Sequence, residues 1–268
     1  KFRDLVRKAD AIDARYVATG HYARVIDGVL HRGVDHSKDQ SYFLWGIDRD
    51  VLSRMLLPVG AQTKAQTRAV AHRLGLEVVA EKIESQDICF VPDGDHTKII
   101  RSRLGANTPA LSDGPFVLSD GSEVGRHSGY ARFTIGQRRG VPGGFREPMF
   151  VIAIRPDDRA VVIGPREALL GRGLIAREVN WLVSDASRLV SNVGDGPRVL
   201  VQVRHRAPAV GATLIRVDGD EIELALDESV AAITPGQSVV LYDAERVLGG
   251  GIIESASGSR AALPVLAA

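Results

Sequence analysis

The sequence holds 268 residues, 44% of them hydrophobic and 25% charged, a balance that supports packed cores and excludes a disordered chain. With 34 Lys and Arg against 33 Asp and Glu the formal net charge is +1, so no global basic field announces a nucleic acid, and any RNA contact must come from local patches. The single cysteine excludes an intrachain disulfide framework; with no apolar run of about 18 residues and no signal-peptide pattern, the expectation is a cytoplasmic protein of two or three domains, with no membrane contact.

Leu5, Val6, Ala9 and Ile12 recur at helical spacing, which predicts a helix over 3–14. It reads as the middle of a domain, so a preceding segment is expected. Residues 15–19 form a short apolar run ending at Gly20-His21. Helix, strand and glycine in that order predict an α/β segment with a parallel sheet, in which ligands sit beyond the carboxyl ends of strands. Residues 38–46 predict a short helix with an aromatic inner face. Thr63 is placed to cap a helix over 64–74, with Ala65, Ala69, Val70 and Leu74 as its buried stripe and Gly75 as its stop. Another helix is expected over 96–103.

From about residue 106 the texture changes to short strands punctuated by Gly, Pro and Ser. Residues 149–155 and 159–164 flank Pro156-Asp157-Asp158, a hairpin signal. Five β-rich runs follow at 198–206, 210–216, 220–226, 238–242 and 247–254, with Asp218-Gly219 as a turn between two of them. Together they predict a small closed barrel. The domain expectation is therefore 1–105, 106–194 and 195–268, the last ending in a loose tail from about 257.

Several residues could carry chemistry. Cys89 follows Glu84-Ser85-Gln86-Asp87-Ile88 and precedes the turn-rich Val91-Pro92-Asp93-Gly94-Asp95. It reads either as a buried apolar cysteine or as an accessible loop thiol able to take up and release sulfur. Gly20-His21 is compatible with a ligand approaching the backbone and equally with a simple strand-end turn. Lys38-Asp39-Gln40 joins a cation, a carboxylate and an amide, which by itself also describes a solvated helix start. Arg126, Arg132, Arg138, Arg139 and Arg146 have no acidic residue between them and alternate with Tyr130, Phe133 and Phe145. Such a segment suits phosphates and stacked bases, or pins domains together. Arg204-His205-Arg206 ends a predicted barrel strand and is a second basic patch. No metal site is readable: the seven histidines show no ligand spacing, and no phosphate-cradling glycine loop is present.

Six strings together resemble the bacterial tRNA-specific 2-thiouridylases, in that family's order and across nearly the whole chain. They are Ala18-Thr19-Gly20-His21-Tyr22, Lys38-Asp39-Gln40-Ser41-Tyr42-Phe43-Leu44, Glu84-Ser85-Gln86-Asp87-Ile88-Cys89-Phe90, Thr134-Ile135-Gly136-Gln137-Arg138-Arg139-Gly140, Thr234-Pro235-Gly236-Gln237-Ser238 and Leu248-Gly249-Gly250-Gly251-Ile252-Ile253. The resemblance implies the latter part of an α/β ATP-pyrophosphatase (PP-loop) domain, a small β-rich connecting domain and a carboxy-terminal tRNA-binding β-barrel. It implies ATP-dependent 2-thiolation of the wobble uridine (position 34) in tRNAs for lysine, glutamate and glutamine. ATP with Mg2+ would be the co-substrate, and a desulfurase-fed relay the sulfur donor. Cys89 matches the persulfide carrier, which a second cysteine relieves by forming a disulfide or by covalent catalysis. Gly20 matches a nucleotide-contacting position, and His21, Lys38, Asp39, Gln40, Arg204, His205 and Gln237 match tRNA-contacting positions. Arg138 and Arg139 are weaker tRNA-binding candidates.

The family's Ser-Gly-Gly-x-Asp-Ser nucleotide loop and its partner cysteine do not occur in this sequence. The expectation is that both lie upstream, that the intact protein is the enzyme, and that this chain alone does not turn over. The rival readings are a non-catalytic RNA-binding adaptor derived from the same family and a PP-loop ligase acting on a small molecule.

Overall fold

The computed structural model describes residues 2–81, 95–105, 107–184 and 196–257. The chain divides into two compact units, one drawn from 1–82, 173–228 and 235–256 and the other from 83–172, 229–234 and 257–268.

The first unit begins with helix α1, Phe2–Ala11, which ends three residues short of the expected 3–14 and leaves Ile12 outside it, 77% exposed. Strand β1, Val17–Ala18, runs parallel to β4, Met55–Leu56, pairing Val17 with Met55 and Ala18 with Leu56. Between them, β2 (Ala23–Ile26) and β3 (Val29–Arg32) form a hairpin over Asp27-Gly28. Both turn residues have positive φ, as a two-residue hairpin turn requires. Helix α2, Lys64–Arg73, is capped by Thr63 as expected, and the cap is a full capping box, with the Thr63 hydroxyl accepting from Gln66 N and the Gln66 side chain reciprocating. Gly75, at φ +70°, sits in the left-handed conformation at its end, and α3, Glu77–Glu81, follows.

Two expectations fail here. Residues 38–46 do not form a helix: only Ser41–Phe43 make a 3-10 turn, because the Asp39 carboxylate competes for the backbone by accepting from Ser41 N. Nor is the α2 stripe buried. Ala65 and Ala69 are exposed and Leu74 is 65% exposed, while Val70 is half-buried.

The second unit contains α4, Thr97–Leu104, and a four-stranded sheet. Its strands β5 (Asp113–Val117), β6 (Glu123–Ser128), β7 (Phe150–Arg155) and β8 (Ala160–Gly164) lie in the order β6-β5-β8-β7, with β5 and β8 parallel and the outer pairs antiparallel. The β7–β8 hairpin is the one the Pro156-Asp157-Asp158 turn signalled. Phe116, Val151, Val161 and Ile163 form the core, with Phe133 and Phe145 packed on it.

His127 is built into this core, 7% exposed, with ring centroids 5.1 Å from Phe116 and 5.4 Å from Phe133. Neither ring nitrogen has a hydrogen-bond partner among the described residues. Burial holds its pKa below the ordinary value; the backbone of Arg159 and Pro115 and the Asp113 charge pull the other way without overcoming it. A histidine kept neutral in the fold binds fewer protons than its unfolded counterpart, so its contribution to stability is present above about pH 6.5 and is lost as pH falls through the lower folded value. Urea unfolding is expected to shift to lower midpoints between pH 7 and pH 5, and to shift less in His127→Leu. Equal pH slopes for the two proteins would remove His127 from the acid sensitivity.

The remaining strands are β9 (Leu170–Trp181), β10 (Arg198–Gln202), β11 (Val210–Asp218), β12 (Glu221–Ala231), β13 (Ser238–Asp243) and β14 (Arg246–Ser257). They hydrogen-bond in the order β13-β10-β11-β12-β9-β14, and β14 returns to β13, closing a six-stranded barrel. The turn at Asp218-Gly219 joins β11 to β12, with Gly219 at φ +60°. Alternate residues point inward, as Ile222, Leu224 and Leu226 do on β12. The sixth strand, β9, comes from residues that the sequence reading placed in the connecting segment. The glycine run of β14 has a packing cause: a Cβ on Gly250 would lie 2.7 Å from Val239 O and 2.8 Å from the Trp45 ring.

One core joins the amino-terminal segment to the barrel wall: Leu30, Tyr42, Leu44, Ile47 and Leu52 pack with Leu182, Val240, Tyr242 and Val247. Asn180 Nδ2 strengthens the joint by donating to the carbonyls of Trp45 (2.7 Å) and Ile47 (2.9 Å). Among the described residues no helix is long and apolar enough to cross a membrane. The architecture is thus a partial α/β segment, a β-rich middle unit and a carboxy-terminal barrel.

Candidate functional site

His21, Lys38-Asp39-Gln40, Arg204-His205 and Gln237 are scattered over more than two hundred positions of sequence, yet the first unit gathers them into one neighbourhood. The junction starts at the end of β1. Thr19 N donates to Leu56 O at 3.0 Å, and the Thr19 hydroxyl meets His21 Nδ1 at 2.8 Å beside the Phe2 ring. Tyr22 then ties this segment to the next: its N–H donates to Gln40 Oε1 at 3.0 Å, and Gln40 N donates to Tyr22 O at 2.8 Å.

Asp39 is the centre of the arrangement. Its Oδ1 accepts from Gly33 N (2.9 Å) and Ser41 N (3.0 Å), and its Oδ2 from Ser41 Oγ (2.8 Å) and Arg32 Nη1 (3.0 Å). All four are bonds to a carboxylate, the stronger class of hydrogen bond. The carboxylate is thereby committed to the chain's own groups, and it is the Asp39 carbonyl that meets His205 Nε2, at 3.3 Å.

Arg32 carries the network into the barrel. Its Nη1 also donates to Gln202 Oε1 at 3.2 Å, and its guanidinium lies 3.6 Å over the Tyr242 ring. Gln202 Nε2 in turn donates to the carbonyls of Arg204 (3.1 Å) and His205 (2.7 Å), fixing the end of β10. Tyr42 closes the circuit by donating its hydroxyl to Ser238 O at 2.8 Å, next to Gln237. Burial raises the Tyr42 phenol to about 12, against the opposing charge of Arg204, and raises Tyr242 likewise to about 12. Both stay protonated donors at neutral pH.

The side chains left facing outward are His21, Lys38, Arg204 and His205, all partly exposed, together with the exposed ring of Phe43. Gln237 Oε1 is buried with no hydrogen-bond partner among the described residues. Gly20 is exposed; a Cβ there would meet nothing within 4 Å, and its φ is not left-handed. Neither turn geometry nor the packing of described residues therefore demands glycine, and the backbone beyond β1 is open to close approach. Arg138 and Arg139 lie in the second unit, exposed; their carbonyls accept from Val141 N (3.3 Å) and Gln137 Nε2 (2.8 Å), while their guanidinium groups make no hydrogen bond or ion pair among the described residues. Arg126, by contrast, pairs with Glu123 at 3.2 Å, and Arg132 donates to Ser128 O at 3.0 Å. Cys89 falls outside the described residues. Among those that are described, no group of His, Cys, Asp or Glu could hold a metal ion.

Sequence reasoning missed Arg32, Ser41, Gln202 and Tyr242, the groups that hold the site together, and Phe43, which it placed on an inner face. Ser41 and Phe43 stand inside a motif already singled out. Arg32 and Gln202 gave no local signal, since their contact spans 170 positions.

An α/β segment carrying such a junction against a carboxy-terminal barrel defines a recognisable class. Residues 1–93 match the family model described as tRNA methyl transferase HUP domain, 104–165 its PRC-barrel domain, and 171–253 the aminomethyltransferase beta-barrel domain. Three relatives are each called tRNA-specific 2-thiouridylase MnmA. That of Salinibacter ruber is 40% identical over 97% of this chain and 68% of its own length; that of Rhodopirellula baltica is 45% identical over 96% and 64%. The one from Carboxydothermus hydrogenoformans is 41% identical over 95% and 68%. The chain belongs to the tRNA-specific 2-thiouridylase family, and it spans about two thirds of the length of these relatives.

Proposed function

We propose that the protein carrying this chain is a tRNA-uridine 2-sulfurtransferase acting on the wobble uridine, position 34, of tRNAs for lysine, glutamate and glutamine. The observation that supports the reading is the hydrogen-bond network that ties the segments carrying His21, Lys38, Arg204 and His205 together through Tyr22, Gln40, Asp39, Arg32 and Gln202. Two cations and two imidazoles on linked segments, with an exposed aromatic ring beside His205, suit a phosphate backbone with unstacked bases. This surface belongs to an anticodon loop better than to a small-molecule substrate.

ATP, accompanied by Mg2+, supplies activation: adenylation of the C2 oxygen turns it into a leaving group. The open backbone at Gly20 fits a nucleotide lying close to the end of β1. Cys89 accepts sulfane sulfur from a desulfurase-fed donor, and the terminal sulfur of its persulfide attacks C2 as AMP departs. A second thiolate then attacks the Cys89 sulfur, forming a disulfide and leaving the thiocarbonyl on the base. His21, Lys38, Gln40, Arg204, His205 and Gln237 hold the RNA, Asp39 positions that segment from beneath, and Arg138 and Arg139 add backbone contacts.

The test is to incubate the full-length protein with unmodified tRNA, ATP and a persulfide source and to analyse the nucleosides by mass spectrometry. The expected product is 2-thiouridine at position 34. Tight tRNA binding with no thiolated product would assign the protein to the adaptor class instead.

A further inference from the structure

Phe43 is 55% exposed, although its neighbours Tyr42 and Leu44 are buried at 7% and 1%. A single exposed apolar side chain is ordinary, so exposure alone assigns nothing. This one stands on a hydrogen-bonded backbone. Its N–H donates to Gln40 O at 3.0 Å, Leu44 N donates to Ser41 O at 2.9 Å, and the Asp39 carboxylate grips Ser41 from below.

The rear of the ring is covered. His205 lies 4.3 Å away, centroid to centroid, at a 40° tilt, and Tyr42 meets it nearly edge-on at 5.5 Å. His205 is fixed in turn by Asp39 O and by the Gln202 bond to its carbonyl. One aromatic face is therefore supported from behind while the other stays open, with Lys38 five residues before Phe43 in the chain and Arg204 next to the His205 that backs the ring. A protein partner would require a wider apolar patch, yet the exposed ring stands between buried or polar residues. A nucleobase needs only a flat π-face with cations placed for the adjoining phosphates, and every base offers such a face.

We propose that Phe43, backed by His205, is a stacking platform for an unpaired base of the bound RNA, an anticodon-loop neighbour of the uridine to be modified. The proposal rests on the RNA-binding reading of this junction. Because the backbone beneath the ring is hydrogen-bonded and His205 and Tyr42 pack on its rear, stacking costs it little further side-chain ordering, and the contact selects an unstacked loop over a continuous helix.

The experiment uses full-length protein and tRNA carrying 5-iodouridine at single anticodon-loop positions, irradiated with long-wavelength ultraviolet light. Tandem mass spectrometry is expected to locate an adduct on Phe43 from one loop position, and none from substitutions in the acceptor stem. Phe43→Ala is expected to weaken tRNA binding by about five- to a hundredfold, the range for loss of one stacked base. Phe43→Tyr should bind like the parent; Phe43→Leu, apolar without a π-face, should fall with alanine. Leucine matching the parent, or adducts confined to other residues, would overturn the platform. If Phe43→Ala binds normally while Lys38→Ala and Arg204→Ala weaken, the platform fails and the RNA surface stands. If none of the three weakens binding, the RNA surface itself is wrong.

Discussion

Replacing Cys89 by serine is expected to reduce 2-thiouridine to the detection limit while tRNA binding stays within about twofold of the parent, a difference of less than RT. The exchange alters one atom, so shape and hydrogen-bonding capacity barely change. The chemistry changes completely. A thiolate accepts sulfane sulfur because it is populated near neutral pH and sulfur–sulfur bonds exchange readily, whereas a serine hydroxyl stays protonated and forms no persulfide. Nucleoside mass spectrometry beside a tRNA filter-binding assay reads both halves; undiminished thiolation would take Cys89 out of the mechanism.

Asp39→Ala should be the most damaging change to the junction itself. The carboxyl side chain is 6% exposed and its Arg32 partner 14%. Removing it strands a guanidinium and leaves Gly33 N, Ser41 N and Ser41 Oγ without their acceptor. Breaking a buried pair from one side costs about 3–5 kcal/mol, because the surviving charge stays buried without compensation. Asp39→Asn should cost less, since its amide oxygen still accepts from the two backbone donors. The double variant Arg32→Met, Asp39→Leu should be more stable than Asp39→Ala, because no charge is left behind. Urea unfolding measures all three. A midpoint for Asp39→Ala indistinguishable from the parent would mean that the network does not hold the loop.

Much of the fold was legible because its signals are local. The Thr63 cap, the Gly75 stop, the Asp218-Gly219 turn and the β7–β8 hairpin each follow from a few adjacent residues, and each formed as read. The failures have one cause, competition from beyond the local window. An Asp39 carboxylate that bonds Ser41 N replaces a helix with a 3-10 turn, and no periodicity reveals it. The α2 stripe was legible as amphipathic, but a stripe says nothing about what covers it. The site followed the same division. Lys38-Asp39-Gln40 and Arg204-His205 stood out as motifs, whereas the Arg32–Gln202 bond that unites them belongs to tertiary structure alone.

Strand β9 gives the barrel its closure, and it lies before the five-strand run that composition picks out. Without residues 170–181 the remaining strands would form an open ribbon, with β12 and β14 each presenting a row of unsatisfied amides and carbonyls to any passing chain. The inheritable module therefore starts at β9 rather than at the first obvious β-run, close to the residue 171 where the family's barrel begins. A gene fusion or natural shuffling event that cut at 195 would deliver a sticky sheet, while one that cut ahead of 170 would deliver a sealed one.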